Sequence, residues 1–172
     1  MAPMVRVYNP YDGPMMSRLL DVGAHGIMVP LVNDGAQAKN IVDSTKYAPV
    51  GRRGANGGRG PRWGAYDDYV KVCNDNTLTF VQCESIEGVN NIEEIAALPG
   101  VDGVFIGTGD LSLEMGIKFK ADSSANHTVD SPEMVAAIDK ILQACLKNGK
   151  IPGIVTASAE DTAKRVKQGF QF

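Results

Sequence analysis

The 172-residue chain is long enough for one domain with a hydrophobic core, and its 44% hydrophobic and 22% charged residues are typical of a globular protein. Its net charge of −3 and pI near 5.4 argue against a general nucleic-acid-binding protein. No apolar run has the length of a membrane span, and the first residues lack the apolar stretch of a signal peptide. The three cysteines are widely spaced without a CxxC pair, which predicts buried thiols in a reducing cytoplasm.

In chain order, short apolar strands alternate with helical segments. Strands are predicted at 3–7, 26–32, 78–83, 102–106 and 152–156. Helices are predicted within 13–23, 34–47, 65–76, 90–100, 131–149 and 159–169. The last three residues, FQF, are predicted to begin a further strand. The pattern therefore consists of five successive strand–helix units.

The segment from 131 to 149 carries the clearest helix signals in the chain. Ser131 is predicted as the N-cap and Pro132 as the first helical residue, and Gly149 is predicted to end the helix. Its apolar face is predicted to contain the residues spaced by 3, 4 and 3 positions, namely Val135, Ile138, Leu142 and Cys145.

Strands that are apolar throughout are typical of parallel sheets covered by helices on both faces. Two α/β architectures fit, an open doubly wound sheet and a TIM-type (β/α)₈ barrel, and no GxGxxG motif supports a dinucleotide fold. A complete barrel needs about 200 residues or more. We therefore expect one domain over 1–172, an incomplete barrel of about five β/α units with parallel strands in sequential order. Two open sheet edges would favour a homo-oligomer.

Two of the predicted strands are followed at once by an acid, Glu84 after LTFVQC and Asp110 shortly after VDGVFIG. Strand C-terminal ends form the ligand-binding rim of parallel α/β folds, and neighbouring strands lie roughly 5 Å apart. Two converging carboxylates favour a shared hard cation such as Mg²⁺ or Mn²⁺, and Gly107 and Gly109 would leave backbone amides open to a ligand. Alternatively, Glu84 caps a helix and Asp110 is the N-cap of LSLEMG.

The segments LLDVGAHGIMVPLV, YAPVGRRG, VQCES and GVDGVFIGTGDLS occur in this order in the chain. Together they resemble the metal-dependent (class II) pyruvate aldolases of the HpcH/HpaI family, which includes 4-hydroxy-2-oxoheptanedioate aldolase and macrophomate synthase. The similarity extends from about Val5 to Gly169. This chain has GTGDLS where the family usually has GPADLS.

The resemblance implies a role for each matching site residue. Glu84 and Asp110 would be the protein ligands of a divalent metal, most readily Mg²⁺, with Mn²⁺ or Co²⁺ as alternatives, and Asp110 would also lie at the substrate. Gln82 would contact the substrate, and the Gly109 N–H would hold the pyruvate carboxylate. Arg6 would contact the pyruvate oxygen on which negative charge develops. The small-molecule ligand would be a 2-oxo acid.

The resemblance also implies that the family's first strands, with their general-base histidine, and its final strand are missing here. Asp21 matches an acid that raises the basicity of this histidine, and so it is a catalytic candidate. His25 precedes a strand and is expected at the opposite, N-terminal rim in a structural role. His127 follows the Asp110 strand and is expected on the catalytic rim, where a solvated residue is the simpler interpretation.

The segment PVGRRGANGGRGPRWG is rich in arginine and glycine. Such composition is compatible with phosphate or nucleic-acid binding. Because its GxRG part matches the family, we instead expect this loop to pack near the active-site rim. No nucleic-acid or membrane partner is expected.

The resulting functional hypothesis is a carbon–carbon lyase that cleaves 4-hydroxy-2-oxo acids to pyruvate and an aldehyde, or decarboxylates oxaloacetate, through a metal-stabilised pyruvate enolate. The alternative is a catalytically impaired, truncated paralogue that retains only metal and 2-oxo-acid binding. Without the histidine base, decarboxylation should exceed aldol cleavage, because loss of CO₂ requires no proton removal from a substrate hydroxyl.

Overall fold

The computed structural model describes residues 2–117 and 130–172. Five parallel strands form one sheet in the order β1-β2-β3-β4-β5, which confirms the predicted sequential neighbours. The strands are β1 (Met4–Arg6), β2 (Gly26–Val29), β3 (Leu78–Cys83), β4 (Gly103–Ile106) and β5 (Ile151–Ile154). A doubly wound sheet would reverse its order at a switch point, whereas this order is that of consecutive β/α units in a TIM-type barrel.

Each connection between successive strands contains at least one helix. The helices are α1 (Gly13–Asp21), α2 (Gly35–Thr45), α3 (Tyr69–Asn76), α4 (Ile86–Asn90), α5 (Ile92–Ala97), α6 (Thr108–Glu114), α7 (Pro132–Lys147) and α8 (Ala159–Gln168). A short 3₁₀ turn spans Arg62–Gly64 before α3. No helix of the described residues has the length and apolar character needed to cross a membrane.

Helix α7 begins as its sequence predicts, but one residue of its predicted apolar face is exposed. The Ser131 hydroxyl accepts a hydrogen bond from the Met134 N–H at 3.2 Å, and Pro132 is the first helical residue. Val135 is 51% exposed, so its predicted burial is wrong. The predicted burial of Ile138, Leu142 and Cys145 is confirmed, and the side chains of Met134 and Ile141 are fully buried beside them.

The sheet has two faces because successive residues of a strand point to opposite sides. On the helix-covered face, the strand side chains belong to the main hydrophobic core, among them Ile27, Val81, Val104 and Ile154. The other side, which we call the inner face, carries Arg6, Met28, Phe80, Gln82 and Phe105. In strand β3 the alternation therefore separates the core residues Val81 and Cys83 from Gln82, which lies on the inner face two residues before Glu84.

A buried ion pair fixes the rim at which the strands begin. Lys46 is 2% exposed, and its Nζ lies 2.7 Å from the Asp102 carboxylate. The same Nζ donates hydrogen bonds to the carbonyls of Asn74 and Thr77 at 2.9 and 2.6 Å. Asp102 also accepts from the Thr79 N–H at 2.7 Å. The cluster links the end of α2 to α3 and to the starts of β3 and β4. Its hydrogen bonds and ion pair offset the desolvation penalty of burying the Lys46 charge.

The last residues of the chain run beside β5. The carbonyl of Phe172 accepts from the Ile154 N–H at 3.0 Å, and the Gln171 N–H donates to the Pro152 carbonyl at 2.9 Å. These hydrogen bonds hold the chain end against β5, but residues 170–172 form no strand in the structure, so the predicted beginning of a strand is not confirmed. The Phe172 ring also packs against Phe80, with ring centroids 5.0 Å apart.

Gly103 provides a test of packing on the inner face. A Cβ at this position would overlap the Phe80 ring and lie 2.7 Å from the Ile151 carbonyl oxygen. We expect Gly103→Ala to lower the free energy of unfolding by about 1–3 kcal/mol, measured by urea denaturation, because the backbone cannot yield easily.

The matched control is Gly54→Ala. An added Cβ at Gly54 meets no described atom within 4 Å. Its free energy of unfolding should change by no more than about 0.5 kcal/mol. Equal effects of the two substitutions would contradict the steric role of Gly103.

Candidate active site

Three of the predicted site residues form a hydrogen-bonded chain at the ends of β1 and β3. The Arg6 Nε–H donates to Gln82 Oε1 at 2.6 Å, and the Gln82 amide donates to Glu84 Oε2 at 2.9 Å. Gln82 and Glu84 are two residues apart, so both lie on the inner face of β3. Strand register aligns Arg6 with Met28 and hence with Phe80, and the long arginine side chain extends along the face to Gln82. The sheet thus connects the Arg6 guanidinium to the buried Glu84 carboxylate through the Gln82 amide.

The second oxygen of Glu84 is held by a residue that sequence reasoning did not identify. The Leu31 N–H donates to Glu84 Oε1 at 2.9 Å. Leu31 has φ of +54°, a left-handed conformation that costs a residue with a side chain about 1–2 kcal/mol. A backbone outlier beside a buried functional group is typical of an active site. Leucine after a proline gives no sequence signal for this conformation.

Gly107 makes room for the Glu84 carboxylate. A Cβ at Gly107 would overlap both Oε2 and Cβ of Glu84. The predicted open amide at Gly107 is wrong, because its N–H donates to the Cys83 carbonyl at 3.2 Å and continues the β3–β4 ladder. Gly107 therefore acts by its small size rather than as a hydrogen-bond donor to a ligand.

Asp110 and Gly109 both lie in the first turn of α6. This helix begins at Thr108 with Gly107 as its N-cap, so the alternative that Asp110 is an N-cap is wrong. Helix α4 is capped by Ser85, whose hydroxyl accepts from a backbone N–H, and the capping role considered for Glu84 is also wrong. An N–H in the first turn has no intrahelical acceptor, so the Gly109 amide can face a ligand. The exposed Asp110 carboxylate lies where the helix dipole favours negative charge.

Burial and charge set the proton affinity of Glu84. The residue is 2% exposed, and this burial raises the pKa of its carboxyl above the usual value. The negative charge of Asp110 adds to the rise, while the Leu31 N–H and Arg6 lower the pKa. The electrostatic effect of Asp110 on Glu84 indicates that the two acids act on one another across this rim.

The two acids have the oxygen donors that hard divalent cations prefer. Each Glu84 oxygen accepts one hydrogen bond, and a carboxylate oxygen has two lone-pair directions, so one remains on each. Carboxylates with water and substrate oxygens are the usual ligands of Mg²⁺. Across the described ranges 2–117 and 130–172, no three His, Cys, Asp or Glu side chains cluster as a metal site. Glu84 and Asp110 would therefore supply two ligands and leave the others to water and substrate.

The structure does not bring Asp21 into this network. Asp21 ends α1, and its carboxylate accepts a hydrogen bond from the buried Arg53 guanidinium at 2.6 Å. The Arg53 guanidinium also lies 4.7 Å from the centre of the Tyr47 ring. Helix α1 leads from the end of β1 back to the start of β2, so Asp21 lies at the N-terminal rim. Through Arg53, the Asp21 carboxylate therefore anchors the arginine- and glycine-rich loop to the end of α1.

The two histidines differ in what the structure describes. His25 directly precedes β2, with its N–H bonded to the Pro3 carbonyl at 2.8 Å, and so it lies at the opposite rim as predicted. His127 lies outside the described residues.

The arginine- and glycine-rich loop was expected near the catalytic rim, and this is wrong. It connects α2 to α3 ahead of β3, and its Gly60 N–H binds the Asp21 carbonyl at the N-terminal rim.

Comparison with known sequences places these residues in a family context. The family model for HpcH/HpaI aldolase/citrate lyase matches residues 1–172. A hydroxypyruvate/pyruvate aldolase of Chromohalobacter salexigens is 39% identical over 99% of this chain and 65% of its own length. A 4-hydroxy-2-oxo-heptane-1,7-dioate aldolase of Klebsiella pneumoniae is 39% identical over 90% of this chain and 56% of its own length. The chain thus spans less than two thirds of either relative.

Solved structures with the same fold include members of this family. An HpcH/HpaI aldolase/citrate lyase family protein of Burkholderia cenocepacia has a TM-score of 0.87 and 29% identity, covering 99% of this chain and 65% of its own. Macrophomate synthase has a TM-score of 0.78 and 29% identity, covering 97% of this chain and 57% of its own. The chain therefore has the fold of a TIM-type barrel segment.

The raised pKa of Glu84 predicts a pH-dependent stability. Because the folded state binds this proton more tightly than the unfolded chain, stability is highest below the ordinary glutamate pKa and falls as the pH rises towards the raised pKa. Glu84→Gln removes this dependence. The free energy of unfolding should be measured with urea in EDTA. The value for Glu84→Gln minus that for the unmodified protein should be larger at about pH 7 than at about pH 4.

Glu87→Gln is the matched control, since Glu87 is exposed shortly after β3. Its stability difference from the unmodified protein should depend less on pH than that of Glu84→Gln. An equal pH dependence in the two variants would show that burial of the Glu84 carboxyl is not its cause.

Proposed function

The chain belongs to the HpcH/HpaI aldolase/citrate lyase family, and we propose on this basis that it is a metal-dependent carbon–carbon lyase acting on 2-oxo acids. Its reactions would be aldol cleavage of a 4-hydroxy-2-oxo acid to pyruvate and an aldehyde, and decarboxylation of oxaloacetate. The matched relatives named as aldolases of pyruvate or of a hydroxy-oxo acid support this substrate class. The observation that carries the proposal is the Arg6–Gln82–Glu84 hydrogen-bonded chain at the strand ends.

The residues of this chain would stabilise charge on the substrate. In both reactions a carbon–carbon bond breaks, and its electron pair moves onto the pyruvate fragment and its 2-oxo oxygen as an enolate. The guanidinium of Arg6 would face this oxygen, and Gln82 would hold the guanidinium in place. The Gly109 N–H would orient the substrate carboxylate. Such preorganised donors contribute most where negative charge develops during the reaction.

Glu84 and Asp110 would hold the divalent cation, most readily Mg²⁺, with Mn²⁺ or Co²⁺ as alternatives. When bound, the cation supplies a Lewis acid at the 2-oxo acid oxygens. The Leu31 N–H and the Gln82 amide fix the Glu84 carboxylate in one orientation. Burial raises the pKa of Glu84, and a bound cation would act in the opposite direction because it favours the ionised carboxylate.

Proton transfer distinguishes the two reactions. Aldol cleavage requires a base that removes the proton of the substrate hydroxyl, and such a base typically contributes about 10²–10⁴-fold to the rate. Among residues 2–117 and 130–172, no histidine lies on the catalytic rim. Decarboxylation releases CO₂ directly and needs no such base. The described residues therefore support decarboxylation more fully than aldol cleavage.

The alternative of a catalytically impaired paralogue has less support. Its distinguishing feature would be a site that binds metal and 2-oxo acids without turnover. The matched relatives are named aldolases, and the similarity includes the segments that carry Arg6, Gln82, Glu84 and Asp110.

We also propose that the protein acts in the cytoplasm, because its cysteines Cys73, Cys83 and Cys145 are all buried free thiols.

Metal binding provides the first test. Glu84→Ala and Asp110→Ala should each abolish calorimetric binding of Mg²⁺ or Mn²⁺, because each removes one of two carboxylate ligands. Glu87→Gln, which removes an exposed charge near the same strand end, should bind the metal as the unmodified protein does. Retained binding in Glu84→Ala would overturn the assignment.

Activity provides the second test. The chain should decarboxylate oxaloacetate faster than it cleaves 4-hydroxy-2-oxo acids, and EDTA should eliminate both activities. Arg6→Ala should reduce both rates by about 10²-fold, because it removes a donor to the developing oxyanion. The exposed Arg18 on α1 offers a matched control, and Arg18→Ala should leave both rates unchanged. A complete lack of metal-dependent decarboxylation would favour the impaired paralogue.

The sheet edges underlie a third expectation, a homo-oligomer. Strand β1 is an edge of the five-stranded sheet, and no described strand pairs with its outer side. Unpaired edges of this kind favour association with another chain. Light scattering should therefore give a mass of at least a dimer, and a stable monomer across a range of concentrations would contradict it.

A further inference from the structure

One exposed apolar side chain lies beside the buried carboxylate of the catalytic rim. Leu31 lies between β2 and α2, and its N–H donates to Glu84 Oε1 at 2.9 Å. The residue is 48% exposed and does not belong to the main hydrophobic core. The Cα that carries its side chain is bonded directly to the nitrogen that holds Glu84. The Leu31 side chain therefore borders the site that the lyase proposal assigns to metal and substrate.

Neighbouring hydrogen bonds impose the left-handed backbone of Leu31, whose φ is +54°. The Val32 N–H donates to the Gln82 carbonyl at 3.2 Å, and the Asn33 side chain accepts from the Ser85 hydroxyl at 2.6 Å. These bonds fix the segment after β2 against the end of β3. A strained conformation persists where the surroundings hold it in this way, and such positions cluster at functional sites.

The backbone task of position 31 does not require a leucine. Glycine would adopt this conformation without the steric penalty, because it has no Cβ. The hydrogen bond to Glu84 uses only the backbone N–H, and the side chain fills no part of the main core. Folding of the segment thus gives no reason for a large apolar side chain here. Contact with substrate gives one, because burying apolar ligand surface against leucine is favourable.

The charges of the catalytic rim favour the same kind of ligand. Five described connections lead from a strand end to the next helix, namely 7–12, 30–34, 84–85, 107 and 155–158. None of them contains lysine, arginine or histidine, whereas they include Asp12, Asp34 and Glu84. Among the described residues, the five strand ends contribute one basic side chain, that of Arg6, which the lyase proposal places at the 2-oxo oxygen. A second carboxylate on a substrate would therefore meet negative charge without a partner cation.

We propose that Leu31 determines substrate specificity by contacting the part of the 2-oxo acid beyond the cleaved bond, and that this part is uncharged and apolar. In a 4-hydroxy-2-oxo acid the cleaved bond joins C3 to C4, so the contact would lie at C4 and the carbons after it. This inference rests on the proposed lyase function, because the metal and Arg6 would orient the other end of the substrate.

Calorimetry in the presence of Mg²⁺ tests this specificity without requiring turnover. The probes are pyruvate, 2-oxohexanoate and 2-oxoadipate. The two longer probes have equal chain lengths and differ in their ends, which are a methyl group and a carboxylate. We expect 2-oxohexanoate to bind about tenfold more tightly than 2-oxoadipate. Pyruvate ends at C3 and so reports binding at the metal end alone.

Two substitutions at position 31 change the side chain and keep the N–H that Glu84 accepts. Leu31→Ala should weaken binding of 2-oxohexanoate by about fivefold relative to pyruvate, because apolar contact is lost. Leu31→Lys should reverse the order of the two longer probes, because a cation is placed where the distal carboxylate lies. Each affinity is divided by the pyruvate affinity of the same variant, so that a change at Glu84 itself cancels.

Leu146 provides the matched control. It is a leucine of nearly the same exposure, 47%, near the end of α7 and hence at the opposite rim. Leu146→Ala and Leu146→Lys should each change the affinity ratios by less than about twofold. Urea unfolding verifies that every variant is folded, and the comparison of probes on the unmodified protein requires no variant.

Three results would overturn the inference. They are equal affinities of the unmodified protein for the two longer probes while pyruvate binds, equal changes of the ratios in the Leu31 and Leu146 variants, and unchanged ratios in Leu31→Lys together with a lower mass by light scattering. The last result would place Leu31 between copies of the chain. Absence of pyruvate binding would overturn the lyase proposal as well, so the two failures are distinguishable.

Discussion

The burial of one carboxylate, that of Glu84, is the constraint on which the catalytic rim depends. A charged group that is 2% exposed must be hydrogen bonded, and its two oxygens receive donors from two different segments, the Leu31 N–H and the Gln82 amide. Gln82 in turn accepts from Arg6, so β1, β3 and the segment after β2 are linked through this acid. Loss of any of these partners would leave a buried polar group unsatisfied.

The two ends of the strands have different physical tasks. At the N-terminal rim, the buried Lys46–Asp102 pair is fully hydrogen bonded and joins helix ends to strand starts. At the C-terminal rim, the charge of Glu84 is balanced less completely, and its pKa is raised. This division agrees with the barrel architecture, in which one rim stabilises the fold and the other binds ligands.

Local strain and small residues allow the Glu84 site to form. Leu31 adopts a left-handed backbone conformation, and the interactions around it must offset that cost. Gly107 leaves the space that the Glu84 carboxylate occupies, even though its own N–H belongs to the sheet. Both features orient a charged group rather than bury apolar surface.

The sequence by itself predicted five parallel strands in sequential order and Glu84 at a strand end, because alternating apolar strands and helices and the ends of apolar runs are local signals. The family resemblance assigned Arg6 and Gln82 to the same site, and only the tertiary structure showed the hydrogen bonds that join them to Glu84. It also identified the family through motifs that occur in order along the chain. Only the tertiary structure decided the donor role of Leu31, the packing role of Gly107 and the exposure of Val135, because each depends on contacts between distant segments. The arginine- and glycine-rich loop was expected near the active-site rim because its GxRG part matches the family. Its position at the N-terminal rim was decided by the chain connections and by its hydrogen bond to the end of α1, which local sequence does not encode.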